Sequence, residues 1–339
     1  HSSLLGNKKI NDAELVAVCD LDISRAKNLG EKYNIPYFSD SHKMFLNVEI
    51  DIVVVLTPSG NHAKDVINLA KYKKHIIVEK PLALNLEDAL NMIKVCEDNS
   101  IRLFVVKQNR FNVPVIKMRE AYDQGRFGKV FMATVRVRWS RHQKYYDQDK
   151  WRGTWQLDGG VLANQASHHI DLLQWILGEP KSVFAYSKNS IANIEAEDTA
   201  IAILKFKNGS LGVIEATTAT RPNNLEGSIS ILGDQGTCVI EGFAVNEMKT
   251  WDFSDKRVGD ENVKEKYSVN PPDVYGYGHL EYYNHIVNSI KNNTESFLSA
   301  YNGIKSLEII CGIYESIFLN KEIHFPISKT NNPLGKKNQ

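Results

Sequence analysis

The chain has 339 residues, 42% of them hydrophobic, which is enough for one large core or two medium ones and excludes a disordered chain. Lys and Arg number 41 against 40 Asp and Glu, a formal net charge of +1. Nothing global therefore draws the chain to nucleic acid or to an anionic membrane, and a small-molecule partner is expected. The four cysteines, Cys19, Cys96, Cys238 and Cys311, form no CxxC pair, so neither a zinc knuckle nor a disulfide framework is indicated. With no apolar run long enough to span a bilayer and no signal-peptide pattern, the expected location is the cytoplasm.

From Glu14 to Glu79 strand and helix signals alternate. Glu14 to Asp20 reads as a strand, Ile23 to Tyr33 as a helix, Ile50 to Leu56 as a strand, and His62 to Tyr72 as a helix. His75 to Lys80, Leu86 to Asn99 and Ile101 to Val106 continue the pattern. Apolar strands separated by helices predict a parallel sheet covered on both faces. After Gly128 the grammar changes. Lys129 to Arg141 alternates, and strand-like runs follow at 182–187, 199–206, 210–218, 227–232 and 237–241, separated by Gly and Asn turn signals. They predict a mostly antiparallel sheet, with Ala166 to Leu177 and Tyr301 to Leu319 as covering helices. The polar tail from Lys329 is expected to fray.

Several residues carry chemistry. Asp20 ends a strand, where an acid can accept from the ribose hydroxyls of NAD; taken alone, it suits a helix cap or a solvated turn better. Thr57-Pro58 and Asn61-His62 follow another strand end, the ligand side of an open α/β sheet, though an ordinary capped turn reads the same way. Glu79-Lys80-Pro81 puts charges where an apolar residue would cost less. Lys80 can donate to a substrate oxygen and stabilise a forming alkoxide, and it can equally close a strand-end salt bridge. Gly159-Gly160 permits a close backbone approach, and a following helix would display Asn164, His168 and Asp171 on one face, a base with a polar partner. His168 and His169 point apart and no third ligand is evident, so metal is the lesser reading, and His169 suits a structural role better than His168 does. The stretch from Arg136 through Arg138, Arg141 and Trp151 to Arg152 concentrates cations and aromatics that suit an anionic sugar, or else arm an exposed strand edge.

In this order along the chain, these motifs resemble the glucose-fructose oxidoreductase and inositol dehydrogenase family over nearly the whole length. The resemblance implies an α/β Rossmann domain over 1–108, an α+β domain with a large open sheet for substrate and oligomerisation over 109–328, and a flexible tail over 329–339. It also implies NAD as cofactor, hydride transfer at a sugar carbon, and a homodimer or homotetramer. Cofactor contacts fall to Asp20, Thr57, Pro58, Asn61, His62, Glu79, Lys80 and Gln108. Catalysis falls to Lys80, His168 and Asn164, and substrate contacts to Arg110, Trp151, Arg152, His169 and Arg221; no metal is implied. The segments 107–112, 151–155, 164–169 and 215–222 are similar to the branch that oxidises UDP-N-acetyl-2-amino-2-deoxy-D-glucuronate at C3, ahead of transamination in surface polysaccharide and lipopolysaccharide synthesis. Many members carry Asp where this chain has Asn164. Against the family pattern the sequence opens at His1-Ser2-Ser3, inside the helix that follows the glycine-rich loop, so the first strand and the pyrophosphate cradle are expected to be missing. Dehydrogenation of another sugar or inositol, a redox-neutral glycosidase using NAD transiently, and a non-catalytic sugar sensor are the competing expectations.

Overall fold

The apolar runs of the first hundred residues become short parallel strands. In the computed structural model, which describes residues 1–269, 271, 276–327 and 330–337, β1 (Val18–Cys19) pairs with β2 (Tyr37–Phe38). A separate sheet holds β3 (Ile52–Val55), β4 (His75–Val78) and β5 (Leu103–Val105) in that order. The single parallel sheet expected from the sequence is thus in two pieces. In the doubly wound order the slot between β1 and β3 belongs to a strand that precedes both, and residues 1–17 form none. The helices between are α1 (Ser2–Gly6), α2 (Ile23–Tyr33), α3 (Ser41–Asn47), α4 (His62–Ala70) and α5 (Leu86–Asp98). Short polar side chains start three of them: Asp22, Asp40 and Asn85 each accept a backbone N–H of the first turn.

After α6 (Val113–Asp123) comes the alternating pattern: β6 (Val130–Arg138), α7 (Gln143–Asp147), α8 (Ser167–Leu177), β7 (Pro180–Lys188), β8 (Thr199–Phe206), β9 (Leu211–Thr217), β10 (Glu226–Gly233), β11 (Gly236–Glu241) and β12 (Glu247–Phe253). Then follow α9 (Val263–Lys266), α10 (Gly278–Lys291), α11 (Ala300–Leu319) and β13 (Ile323–His324). The eight strands lie in the order β12-β11-β10-β6-β9-β8-β7-β13, antiparallel except for the β6–β9 pair. One face is dry. Leu172, Leu173 and Ile176 of α8 and Ile309 and Ile313 of α11 pack there against Val135, Ala202, Ile214 and Ile229. The other face is open, with Tyr186 and Ile203 exposed at 64% and 57%. At its centre Arg138 holds Glu215 at 2.6 Å and Glu226 at 3.1 Å. Arg136 and Arg138 therefore arm the open face of a central strand rather than a sheet edge.

The last helices return to the first sheet. Val66, Ala70, Ala89 and Met92 cover one side of β3–β5, together with Leu307 and Cys311 of α11, while Tyr282, Tyr283, Ile286 and Val287 of α10 cover the other. Packing thus crosses the expected 108/109 division, because a parallel sheet needs cover on both faces and the helices between its strands supply only one. The tail does not fray over 330–337. Glu315 accepts the backbone N–H groups of Asn331 (2.7 Å) and Asn332 (3.0 Å), and Leu334 is buried. Lys329, Asn338 and Gln339 lie outside the described residues.

Candidate active site

Asp20 follows β1, Thr57 follows β3, and Glu79 and Lys80 follow β4, so all stand at the carboxyl ends of parallel strands, where open α/β sheets bind ligands. Asp20 gives one oxygen to the Asp22 N–H at 2.9 Å, and the other has no partner among the described residues. That fits an acceptor for ribose hydroxyls. Thr57 donates its hydroxyl to Asp65 at 2.6 Å, whereas the ring nitrogens of His62 lie 2.8 Å from the Pro81 carbonyl and 3.0 Å from the Thr57 carbonyl. Fully buried, His62 braces these two loops and has no nitrogen left for a cofactor. Asn61 and Pro58 flank the turn before α4, where the side chain of Asn61 caps nothing. Gly60 is obligatory there, since a Cβ would meet the Gln156 carbonyl at 2.2 Å; its N–H donates to the Leu157 carbonyl at 3.0 Å, tying the Thr57 loop to the second half.

Lys80 is the hub. Its ammonium donates to the Asn164 backbone oxygen at 3.0 Å and to the side-chain Oδ1 at 2.9 Å, leaving a third N–H without an acceptor among the described residues. Burial pushes the Lys80 ammonium down from its ordinary range; Glu79 and Asp158 oppose this, and Arg152 and Arg141 add to it. Burial would raise the neighbouring Glu79 carboxyl, but the hydrogen bond from His1 at 2.7 Å and the charges of His1 and Lys80 hold it at about 2. His1 also meets the Tyr283 hydroxyl at 2.5 Å and lies beside His279, whose nearest ligating atoms come within 4.8 Å of those of His1 and Glu79. Hydrogen bonds among these groups already use both nitrogens of His1 and both oxygens of Glu79.

His168 sits on the first turn of α8, its Nε2 at 3.0 Å from Gln108 Nε2. Desolvation, then the charges of Lys80 and Lys107, hold its imidazole well below the ordinary value, so it is neutral and able to accept a proton. Gln108 Oε1 is buried without a partner among the described residues, an acceptor free for a ligand N–H such as a nicotinamide carboxamide. Together with Asp20, this arrangement fits the cofactor implied by the sequence.

Other expectations change. Helix α8 starts at Ser167, so Asn164 stands in the turn before it and not on its face. Asp171 does not orient His168. It lies in a buried cluster with Arg110, which contacts both carboxylate oxygens at 2.7 and 2.9 Å, and with Lys107 at 3.0 Å; those cations overcome the upward push of burial and keep the carboxyl well below its usual range. Arg110, 3% exposed and so engaged, is structural rather than substrate-facing. His169 is also removed from the site. It is wholly buried against Trp139, ring centroids 5.7 Å apart, and burial lowers it to about 3. Trp151 and Arg152 remain half-exposed, the guanidinium lying over the Trp151 and Tyr145 rings. Arg221 is exposed and ties loop carbonyls, including that of Arg141 at 3.0 Å. Asp158, absent from the sequence-based set, is buried beside Asn164, and the only hint of it in the sequence is an acid placed directly before the Gly159-Gly160 pair. Lys107 is visible in the same run as Gln108, but nothing in the sequence gives it a role.

Comparison with known proteins bears on the fold and the cofactor. The family model described as "Oxidoreductase family, NAD-binding Rossmann fold" matches residues 4–107, and "Oxidoreductase family, C-terminal alpha/beta domain" matches 119–325. The chain is similar to the WlbA dehydrogenase from Bordetella pertussis, solved in complex with NADH and UDP-GlcNAcA: 37% identity, TM-score 0.89, covering 97% of this chain and 95% of that one. The WlbA dehydrogenase from Chromobacterium violaceum, solved with the same ligands, gives 37% identity and a TM-score of 0.90 over 97% and 93%. Among curated relatives, the myo-inositol 2-dehydrogenase of Thermotoga maritima is 28% identical over 88% of this chain and 87% of its own. With matching models across both halves, the chain belongs to the Gfo/Idh/MocA oxidoreductase family, NAD-dependent enzymes that oxidise a CH–OH group.

Proposed function

We propose that this enzyme oxidises the C3 hydroxyl of UDP-N-acetyl-2-amino-2-deoxy-D-glucuronate to the ketone, as a step in surface polysaccharide synthesis. The observation that carries the reading is the Lys80 ammonium, held by two acceptors on Asn164 with one N–H spare beside a neutral His168, in a chain 37% identical over 97% of its length to dehydrogenases captured with NADH and UDP-GlcNAcA. Bound NAD supplies the hydride acceptor. Lys80 donates its spare N–H to the reacting oxygen and stabilises negative charge as it forms there. His168, uncharged and partly exposed, takes the hydroxyl proton at Nε2, the substrate hydroxyl replacing the Gln108 N–H that this nitrogen accepts in the free protein. Arg141 and Arg152, whose charges already reach Lys80, favour a substrate carrying a carboxylate and a diphosphate. The branch-like segments around Asn164 and Arg221 support the same sugar.

Two further parts of the reading rest on surface and composition. The open sheet face, with Tyr186, Ile201, Ile203 and Leu211 around a core of ion pairs, suits a second copy of the chain, making a dimer or tetramer. No helix among the described residues is long and apolar enough to cross a membrane, and all four cysteines are free, as a reducing cytoplasm favours.

The test is direct. Protein incubated with NAD and UDP-GlcNAcA should give a sugar lighter by two hydrogens in mass analysis, and Lys80→Met should abolish the change while leaving the melting temperature intact. An unaltered sugar, or full turnover by the Met variant, would overturn the assignment.

A further inference from the structure

Asn164 contacts Lys80 through an amide, which carries no charge and has one accepting end and one donating end. Which end faces the lysine has to be fixed by something behind it. Asp158, 2% exposed, stands there. Its Oδ1 accepts the Asn164 Nδ2–H at 2.6 Å and its Oδ2 accepts the Gly153 N–H at 2.7 Å. A carboxylate can only accept, so the amide must turn its nitrogen to Asp158 and its oxygen to Lys80. Nothing in the proton-transfer scheme above uses Asp158, yet it is a buried acid two hydrogen bonds from the donor of that scheme.

We propose that Asp158 is a positioning residue of the active site: through Asn164 it fixes the direction of the Lys80 ammonium and places a balancing negative charge behind it. The inference rests on Lys80 being the donor to the reacting hydroxyl. Three consequences separate it from a purely structural role. In D158N, the Gly153 N–H and the Asn164 Nδ2–H compete for one oxygen, and the Asn164 amide is free to present its NH2 to Lys80. In D158N/N164D the pattern is restored in mirror image. The amide now at position 158 donates its N–H to the carboxylate now at position 164, which accepts from Lys80, while the oxygen of that amide accepts from Gly153. In N164D alone, two carboxylates stand within hydrogen-bond reach and share one proton, so the remaining negative charge moves one hydrogen bond closer to the lysine than in the natural protein. The other titratable groups around Lys80 are Glu79, Lys107, Arg141, Arg152 and the neutral His168, and those around Asp158 are Arg152, Tyr145, Tyr146 and the buried Glu197. None of them changes in these variants.

The experiment follows the pH midpoint of Lys80 acetylation by mass spectrometry in the full chain, with and without NAD, alongside turnover on UDP-GlcNAcA. D158N should move the midpoint down by about one unit, N164D should move it up, and D158N/N164D should bring it back toward the natural value. Turnover should fall at least tenfold in D158N and recover most of that loss in the double variant. A midpoint that ignores D158N and N164D, or a double variant no better than D158N, overturns the proposal. If D158N does not fold, the rise in N164D decides. The labelling needs no sugar, so an inert natural protein sinks the substrate reading alone, while an active protein with an unmoved midpoint sinks only this inference.

Discussion

Adjacent histidines on α8 meet opposite fates because successive helical positions face different ways. His168 looks toward Gln108 and Lys80, and His169 looks into the core against Trp139. The buried ring has no hydrogen-bond partner among the described residues and is held to about 3, so in falling pH the unfolded chain takes up a proton first. Its contribution to stability is whole above about pH 6.5, the ordinary histidine value, and is lost as pH falls toward 3. His169→Phe, which keeps an edge-to-face contact, should flatten the acid decline of stability by up to about 1.4 kcal/mol per pH unit in that window, as read by denaturant melts at several pH values. The motif around these histidines is legible in the sequence, since Gly-Gly followed by Asn164 and His168 announces a site. Sequence cannot say which way a side chain points across a helix boundary shifted by one residue, and so it puts Asp171 and His169 at the site when they belong to buried clusters.

Elements are legible wherever periodicity and caps agree. Helix Ile23–Tyr33 and strand Thr199–Phe206 lie where the pattern puts them, whereas α10 escapes a sequence reading because its apolar residues are spent on neighbours far away in sequence. The turn between β3 and α4 is one of the elements on which the two halves touch. Gly60→Ala would drive a methyl into the Gln156 carbonyl, 2.2 Å away, and prise the Thr57 loop from residues 156–158. A crowding cost of about 1–3 kcal/mol in stability is expected, with a larger loss in NAD affinity than in stability, measurable by thermal melts with and without cofactor. Equal losses in the two would place the effect in folding rather than in the site.

At the scale of the whole molecule, the second sheet is finished on one side only. Ile203 stands 57% exposed at the middle of β8, paired with Val213 and Phe184 across the open face. For the dimer or tetramer proposed above, Ile203→Glu should give monomers in light scattering while leaving the far-ultraviolet circular dichroism unchanged; an unchanged mass would overturn that use of the open face. The return of α10 and α11 to the first sheet is the least legible feature, because no local pattern marks a helix whose apolar face matches a sheet so far back in the chain.

That return has a consequence for how the protein is born. Synthesis runs from the amino end, so β3, β4 and β5 leave the ribosome long before Tyr282, Tyr283 and Ile286, which seal one of their faces. Until those residues emerge, Ile77 and Phe104 have only Leu5, Ile10 and Val106 as buried partners there, and the nucleotide-binding half waits, half-clothed, for α10 to be made. An early stop within α10 or α11 would therefore leave part of the first sheet bare as well as truncating the second half.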